Sequence, residues 1–336
     1  MQKYVPFYLW GMAPLFGLVM SPQLLLAQVV KPQEVKFETI DKVMIKGSFY
    51  PATRGKSPVV MILHEFGGNR KEAEWDLLAR DIQQQCGFAV LTFDFRGHGD
   101  STTVDPTIFW NVASNVATFR PNQTRDKITY KDIPGKGYYP MLINDIAAAK
   151  QFLDQQNDAG NCNVSNLVII GSKESAALGS LFIAKAWTMI NFVPNPFGIG
   201  AIQSQKRPWV GQDCKCAVWL SMPDDLMNIK VSSWLRMDQV RDRVPMAFFY
   251  GKSDITAAKG AQEAMRWLKN NPLTRERAVP SKLSGKALLT NKQTREEICT
   301  YISKVIEKQG NDAWLERKNE FPLQWYSVKQ YYPRVP

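Results

Sequence analysis

Histidine is nearly missing from this sequence of 336 residues, which contains two, His64 and His98, and none after position 98. Cysteine is also scarce, at five residues, and the tight spacing of Cys214 and Cys216 does not suit a structural zinc site. No cofactor motif occurs. The sequence therefore predicts neither a metal nor a cofactor, and it offers little imidazole for acid–base chemistry.

Acidic residues are too few to balance the basic ones, since 31 Asp and Glu face 42 Lys and Arg, for a formal net charge of +11. A basic chain could bind nucleic acid, but here the positive charges are scattered. Clusters such as Arg275-Glu276-Arg277 contain their own acids. We therefore expect a solvated basic surface and no nucleic-acid partner.

Long apolar runs are absent except at the amino terminus. Lys3 is the only charge before an apolar stretch over residues 5–20, and small residues end the segment at Ala27. This pattern predicts a secretory signal over residues 1–27 and places the protein in the periplasm, in the cell envelope or outside the cell. The alternative is an uncleaved amino-terminal anchor, because the prolines and glycines in the run do not forbid insertion. No transmembrane span is expected after cleavage.

Export bears on the cysteines, because disulfides persist in oxidising compartments. At least one pair could be bridged there, and the odd count leaves at least one thiol free. Cys162 precedes one predicted strand, and Cys214 and Cys216 precede the next. Neighbouring parallel strands start about 5 Å apart, so we predict a bridge from Cys162 to one of that pair.

Strand and helix patterns alternate along residues 28–310, as a doubly wound α/β sheet requires. Residues 35–40 and 44–50 alternate polar and apolar positions and predict an antiparallel edge hairpin. Short apolar runs predict buried parallel strands over residues 59–63, 88–93, 167–170, 217–220 and 246–250. Helical patterns cover residues 71–85, 142–155, 175–187, 260–269 and 295–308. We expect one α/β domain.

Two connections, residues 101–140 and 191–212, are too long for a minimal βα repeat. We expect these insertions to fold over the carboxyl edge of the sheet, where open α/β sheets bind ligands, as a lid or a partner surface. Alternatively, their aromatic residues merely pack each insertion onto the body. Residues 311–336 form a carboxyl-terminal extension that is rich in aromatic residues.

Two turns at predicted strand ends carry a family resemblance. The first is Leu63-His64-Glu65-Phe66-Gly67-Gly68, and the second is Asp94-Phe95-Arg96-Gly97-His98-Gly99-Asp100-Ser101. They resemble the oxyanion loop and the D-x-R-G-H-G-x-S turn of α/β-hydrolases, especially lysophospholipases, serine aminopeptidases and dienelactone hydrolases. The resemblance implies a mostly parallel eight-stranded sheet with helices on both faces and an antiparallel edge hairpin.

In that family the fifth strand ends in a G-x-Ser-x-G elbow that exposes the nucleophile. The matching segment here is Gly171-Ser172-Lys173-Glu174-Ser175. Placing Gly171 at the first glycine puts Lys173 at the nucleophile position and the small Ser175 at the second glycine. The rival register, with Ser172 as nucleophile, puts bulky side chains at both positions that need small ones. Sterics therefore favour Lys173.

The remaining triad positions also follow from the resemblance. Gly251-Lys252-Ser253-Asp254 matches the turn that holds the acid, so Asp254 takes that position. The loop around Ser284 resembles the one that carries the histidine, and Ser284 stands where the imidazole belongs. A serine cannot take up a proton near neutral pH, and Lys173 could be a nucleophile only if burial favoured its neutral form.

His64 could supply a base from an unusual direction, although the resemblance implies that it shapes the oxyanion loop with Glu65, Phe66 and Gly67. Glu65 stands where the family commonly has glycine, and its carboxylate would oppose a developing oxyanion. We expect the charge of Lys173 to be paired by Asp254, with Glu65 and Glu174 as substitutes.

The leading hypothesis is an exported α/β-hydrolase-fold protein without catalytic activity that acts by binding a small molecule or an envelope protein. The second is a hydrolase of ester or peptide bonds with non-standard catalytic residues, using Ser172 or Lys173 with His64. The third is an envelope structural or interaction protein that docks through its insertions and its aromatic tail.

Overall fold

Short runs of β-branched and aliphatic residues supply the central strands, which are buried along their whole length. A computed structural model describes residues 1–2, 31–119, 125–133, 138–195 and 201–317. The strands are β1 Gln33–Glu38, β2 Met44–Tyr50, β3 Pro58–Leu63, β4 Ala89–Phe93, β5 Asn163–Ser172, β6 Phe192–Pro194, β7 Ala201–Gln203, β8 Cys214–Leu220, β9 Asp225–Leu226, β10 Ile229–Lys230, β11 Met246–Gly251 and β12 Arg275–Val279.

Helices connect most of these strands. They are α1 Ala73–Asp81, α2 Pro106–Phe109, α3 Ala113–Thr118, α4 Ile143–Asp158, α5 Glu174–Ala186, α6 Ser232–Leu235, α7 Asp238–Arg243, α8 Ile255–Leu268 and α9 Lys292–Gln309. A π-helical turn, Ile82–Cys86, continues α1. Short 3₁₀ segments cover Tyr130–Asp132, Tyr139–Leu142, Val210–Asp213 and Gly285–Thr290.

Eight strands form one sheet in the order β1-β2-β4-β3-β5-β8-β11-β12. The β1–β2 and β2–β4 pairs are antiparallel, and the remaining pairs are parallel. Apolar cores lie on both faces of the sheet. This topology confirms the predicted α/β-hydrolase fold, including the antiparallel edge.

The predicted helices all occur with shifted ends, and one strand of the eight-stranded sheet had no sequence pattern that predicted it. β12 begins with three charged residues, Arg275 to Arg277, and lies at the sheet edge, where Val279 is its one buried residue. Such a short strand lacks the continuous apolar run of the buried strands. Its existence was implied only by the eight strands of the family.

Residues 311–317, which we assigned to a separate extension, pack on the domain. The Trp314 Nε1 donates to the Asn157 carbonyl at 2.9 Å. The buried Arg317 donates to the Ser165 Oγ at 2.8 Å and to Asp213 at 3.0 Å. The packed body therefore continues past residue 310 to Arg317. The aromatic tail residues from 318 onward lie outside the described residues, as does the predicted signal apart from residues 1–2.

All five cysteines are free thiols in the structure. Cys162 directs its thiol to the Leu153 carbonyl at 3.7 Å, and the Cys214 thiol contacts the Cys216 carbonyl at 3.7 Å. Cys216 belongs to the core on the opposite face of the sheet from Cys162. The predicted bridge from Cys162 is therefore not formed. A shift in strand register turns Cys216 to the opposite face, and Cys214, which shares the face of Cys162, pairs with Leu167, five residues beyond Cys162.

Among the described residues, no helix combines the length and the apolar character that a membrane span requires.

Candidate functional site

The turn between β5 and α5 is a sharp elbow with Lys173 at its apex. Lys173 has φ 51° and ψ −123°, a conformation that costs a residue with a side chain about 1–3 kcal/mol. A Cβ on Gly171 would lie 2.9 Å from the Ala176 Cα, so the helix can follow the strand this closely only if glycine is present. The structure therefore places Lys173, and not Ser172, at the position that the resemblance gives to the nucleophile.

Hydrogen bonds of Ser172 and Ser175 stabilise the elbow. The Ser175 Oγ donates to the Leu63 carbonyl at 2.9 Å and accepts from the Ser172 backbone N–H at 3.0 Å. Neither serine is exposed to solvent. The small size that we predicted for position 175 thus serves a close contact between the elbow and the end of β3.

Glu65 supplies the negative charge beside the elbow lysine. Its Oε2 lies 3.4 Å from the Lys173 Nζ, and the lysine side chain remains 40% exposed. Its Oε1 accepts from the Ser172 hydroxyl at 2.7 Å and from the Lys286 backbone N–H at 2.6 Å. The lysine is thus paired by one of the two substitute carboxylates rather than by Asp254. Glu65 also ties the loop after β3 to the elbow and to the loop after β12.

Asp254 is engaged elsewhere, by Ser284. The Ser284 hydroxyl donates to the Asp254 Oδ2 at 2.6 Å, and the Asp254 Oδ1 caps α8 by accepting from the Ala257 backbone N–H at 3.0 Å. A hydroxyl–carboxylate pair therefore occupies the two positions to which the resemblance assigns an imidazole–carboxylate pair. The aspartate is also a helix cap, which is the structural role that its residue type favours at that position.

Gly285 lets the loop after β12 close against Glu65. Its φ is +60°, and a Cβ built there would lie 2.0 Å from the Glu65 Oε1 and 2.7 Å from the Lys173 Cε. The Gly285 backbone N–H donates to the Ser221 Oγ at 2.8 Å. Glycine is therefore required at position 285 for the Glu65 carboxylate to approach the loop after β12 this closely.

His64 is committed to the backbone through both ring nitrogens. Its Nε2 accepts from the Phe95 N–H at 3.0 Å, so the proton is on Nδ1, which donates to the Glu65 carbonyl at 2.7 Å. The ring is 1% exposed. Burial, and to a lesser extent the nearby His98, lowers the pKa of His64 to about 3. His64 is thus a neutral structural group and does not face the Lys173 side chain as a base.

His98 is held in the turn after β4. Its Nδ1 lies 3.0 Å from the Arg96 carbonyl, and its ring stacks on Tyr130 with 5.2 Å between centroids. Burial lowers its pKa. Both histidines of the sequence therefore stabilise the loops that follow β3 and β4.

The first insertion packs on the oxyanion loop. Tyr139 contacts Phe66 with ring centroids 4.4 Å apart, and Tyr130 lies beside Gly67. Phe109 and Phe119 are buried and pack against each other within the insertion. The aromatic residues thus build the insertion itself, and two tyrosines cover the loop beside the elbow.

Sequence reasoning missed several groups that complete the site. Lys286 forms an ion pair with Glu72, and Ser221 anchors Gly285 from a left-handed conformation with φ 50°. Lys286 lies in the loop that we compared with the histidine loop, but nothing local shows that its backbone reaches Glu65. Glu174, the other substitute carboxylate, forms no ion pair with Lys173 among the described contacts. No cluster of metal-binding side chains occurs within the described ranges.

No family model and no curated protein matches this chain in sequence. Its fold is similar to solved structures. An esterase from Pyrococcus furiosus matches with a TM-score of 0.53 and 16% identity over 83% of this chain and 93% of that one. A bacterial heroin esterase matches with a TM-score of 0.52 and 14% identity over 84% and 86%. Dienelactone hydrolase from Anabaena variabilis matches at 0.50 and 15% over 83% and 98%. The chain has the α/β-hydrolase fold.

Proposed function

We propose that this chain is a non-catalytic protein of the α/β-hydrolase fold, exported to the periplasm or envelope or secreted, that binds a small molecule or an envelope protein. One observation carries the proposal. The elbow presents the ammonium group of Lys173 beside the carboxylate of Glu65, and the hydroxyl of Ser284, which the resemblance puts in place of the imidazole, binds Asp254.

Each of these substitutions removes a different part of ester hydrolysis. An ammonium group held by a carboxylate has no free electron pair with which to attack a carbonyl. The Ser284 hydroxyl cannot accept a proton and return it to a leaving group near pH 7. The Glu65 carboxylate sits at the oxyanion loop, where developing negative charge would need hydrogen-bond donors. Because three requirements fail together, no single replacement would restore activity.

A second candidate is a hydrolase that uses Ser172, and one contact favours it. The Ser172 hydroxyl donates to the Glu65 Oε1 at 2.7 Å, so a carboxylate stands where it could take the proton of a nucleophile. The side chain of Ser172 is fully buried, however, and it points away from the apex of the elbow toward the Leu220 carbonyl. Ester and peptide substrates would therefore have to reach a residue that solvent does not reach.

A fluorophosphonate probe and a panel of short p-nitrophenyl esters test the proposal. We expect no labelling above the denatured control and no hydrolysis by the natural chain. The Ser172→Ala variant is the matched control, because it removes the one buried hydroxyl of the second candidate. Labelling of the natural chain at Ser172 that disappears in this variant would replace our proposal with the hydrolase reading.

A variant in which the triad residues are reintroduced provides a test for gain of activity. Lys173→Ser combined with Ser284→His and Glu65→Gly restores nucleophile, base and a neutral oxyanion loop on the existing elbow. We expect weak ester hydrolysis by this triple variant and less by the double variant that keeps Glu65. If a well-folded triple variant is inactive toward every ester, the loss extends beyond these positions. An interaction role for the insertions would then replace ligand binding in the crevice, with a pull-down from envelope extracts as its assay.

A further inference from the structure

Two cysteines that are far apart in the sequence meet on the side of the sheet opposite the first insertion. Cys86 is the last residue of the π-helical turn, and Cys299 lies within α9. The Cys86 thiol donates to the Cys299 carbonyl at 3.8 Å, although the two positions are 213 apart in the sequence. Each thiol also shifts the pKa of the other. The fold therefore holds them together without help from local sequence.

Their surroundings give the two thiols different reactivity. Cys86 is partly exposed, whereas Cys299 is 3% exposed. Hydrogen bonds from the Cys299 thiol and then from Ser303 lower the pKa of Cys86, although burial opposes them. The same contact raises the pKa of Cys299. Cys86 is thus the attacking thiol and Cys299 the resolving one.

The other three cysteines lack these features. Burial raises the pKa of Cys162 to about 12 and raises the pKa of Cys214 and Cys216 as well. All three are buried in the cores against the sheet. They therefore serve as internal references for a reaction at Cys86.

We propose that Cys86 and Cys299 are an oxidisable pair that forms an intramolecular disulfide by exchange with a disulfide oxidant. The Cys86 thiolate attacks one sulfur of the oxidant, its S–S bond breaks, and one thiolate leaves. Cys299 then loses its proton and attacks the Cys86 sulfur, which expels the second thiolate. The protein loses two hydrogen atoms in total, and the oxidant is reduced to two thiols.

The disulfide would join α9 to the π-helical turn that continues α1. α1 follows the loop that carries Glu65 and Glu72, and α9 follows the 3₁₀ segment Gly285–Thr290. An ion pair between Asp81 and Arg295 at 2.6 Å already joins the two helices. A disulfide here closes a very long loop in the unfolded chain, so it should raise the melting temperature by roughly 5 °C or more.

Incubation of the purified, reduced chain with oxidised glutathione tests the proposal. Titration of the denatured protein should show that five thiols become three, since two of the five are consumed. Peptide mapping should find Cys86 linked to Cys299, and dithiothreitol should reverse both the linkage and the rise in melting temperature. The Cys162→Ser variant should still lose two thiols, whereas Cys86→Ser and Cys299→Ser should form no internal bridge.

Three results would contradict the proposal that Cys86 and Cys299 form a disulfide. Five thiols could survive the oxidant, a bridge could map to other cysteines, or glutathione could stay on Cys86 without displacement by Cys299. Peptide mapping of the unsubstituted chain distinguishes these results, so the test does not depend on how any variant folds. The outcome is also independent of whether the elbow is catalytic.

Discussion

The turn after β4 and the elbow after β5 lie at the same edge of the sheet, yet their polar groups are held very differently. In the turn, Arg96 is fully buried and its guanidinium binds Asp145 at 2.7 Å and Asp41 at 2.6 Å. At the elbow, Lys173 is 40% exposed and has one carboxylate partner at 3.4 Å. The charges of the turn are therefore paired inside the core, whereas the charge of Lys173 is shared with solvent.

The turn network also explains how the first insertion is attached. The Arg96 Nη1 donates to the Tyr138 hydroxyl at 2.8 Å, and that hydroxyl donates to the Asn115 Oδ1 at 2.9 Å. Asn115 in turn donates to Asp41 at 3.0 Å. The insertion therefore depends on the same arginine as the sheet edge.

Replacing Arg96 should produce the largest effect. Arg96→Leu leaves Asp41 and Asp145 buried without their cation, and breaking a buried ion pair in this way costs about 5 kcal/mol of unfolding free energy. Urea unfolding followed by tryptophan fluorescence measures it. Arg241→Leu, at an exposed arginine that binds Asp238 and Asp242, should leave the midpoint unchanged. Equal losses in the two variants would refute the assignment of the turn to the core.

The second-largest loss of stability should come from lowering the pH, through protonation of His64. Its folded pKa of about 3 lies below the unfolded value of 6.5, so protonation favours the unfolded chain. The stabilisation is complete above pH 6.5 and falls as the pH drops toward 3. Between pH 7.5 and 4.5 it should fall by about 3 kcal/mol. In His64→Gln the pH dependence over this window should shrink by that amount. An identical pH profile in the variant would mean that His64 is not the buried neutral ring described.

Removing Glu65 should have an intermediate effect. Glu65→Ala deprives the Ser172 hydroxyl and the Lys286 N–H of their acceptor, which we expect to cost about 2 kcal/mol. Glu65→Gln keeps an oxygen acceptor and should cost less than half as much. Loss of the ion pair with Lys173 adds little to this cost in stability, because solvent reaches the lysine side chain. A loss as large as that of Arg96→Leu would erase the difference between elbow and turn.

The smallest effect should come from Ser284. Ser284→Ala removes one hydrogen bond to Asp254, which keeps the Ala257 N–H and contact with solvent, so we expect a loss of about 1 kcal/mol. Ser253→Ala, at the exposed neighbour of Asp254, is the control and should change nothing. A change above about 2 kcal/mol would indicate that the pair supports the fold as the turn network does.

Much of the fold was readable from local patterns. The apolar runs predicted five central strands, and the resemblance of the two quoted turns predicted the fold that the structure has. β12 escaped because an edge strand with alternating charges resembles a surface segment. The cysteine prediction was wrong because Cys214 pairs with Leu167, five residues beyond Cys162, and a register shift in β8 turns Cys216 to the opposite face. Neither feature leaves a local trace in the sequence.

The sequence by itself determined that no imidazole follows His98 and that Lys173 takes the apex of the elbow. Both conclusions depend on residue identity and on the steric size of immediate neighbours, which are short-range properties. Only the tertiary structure decided that Glu65 and not Asp254 pairs with Lys173, that His64 is bound to the backbone, and that Cys86 meets Cys299. Those pairings depend on how distant loops approach within a few ångströms. That approach is set by packing of the whole sheet and its helices, and no local pattern records it.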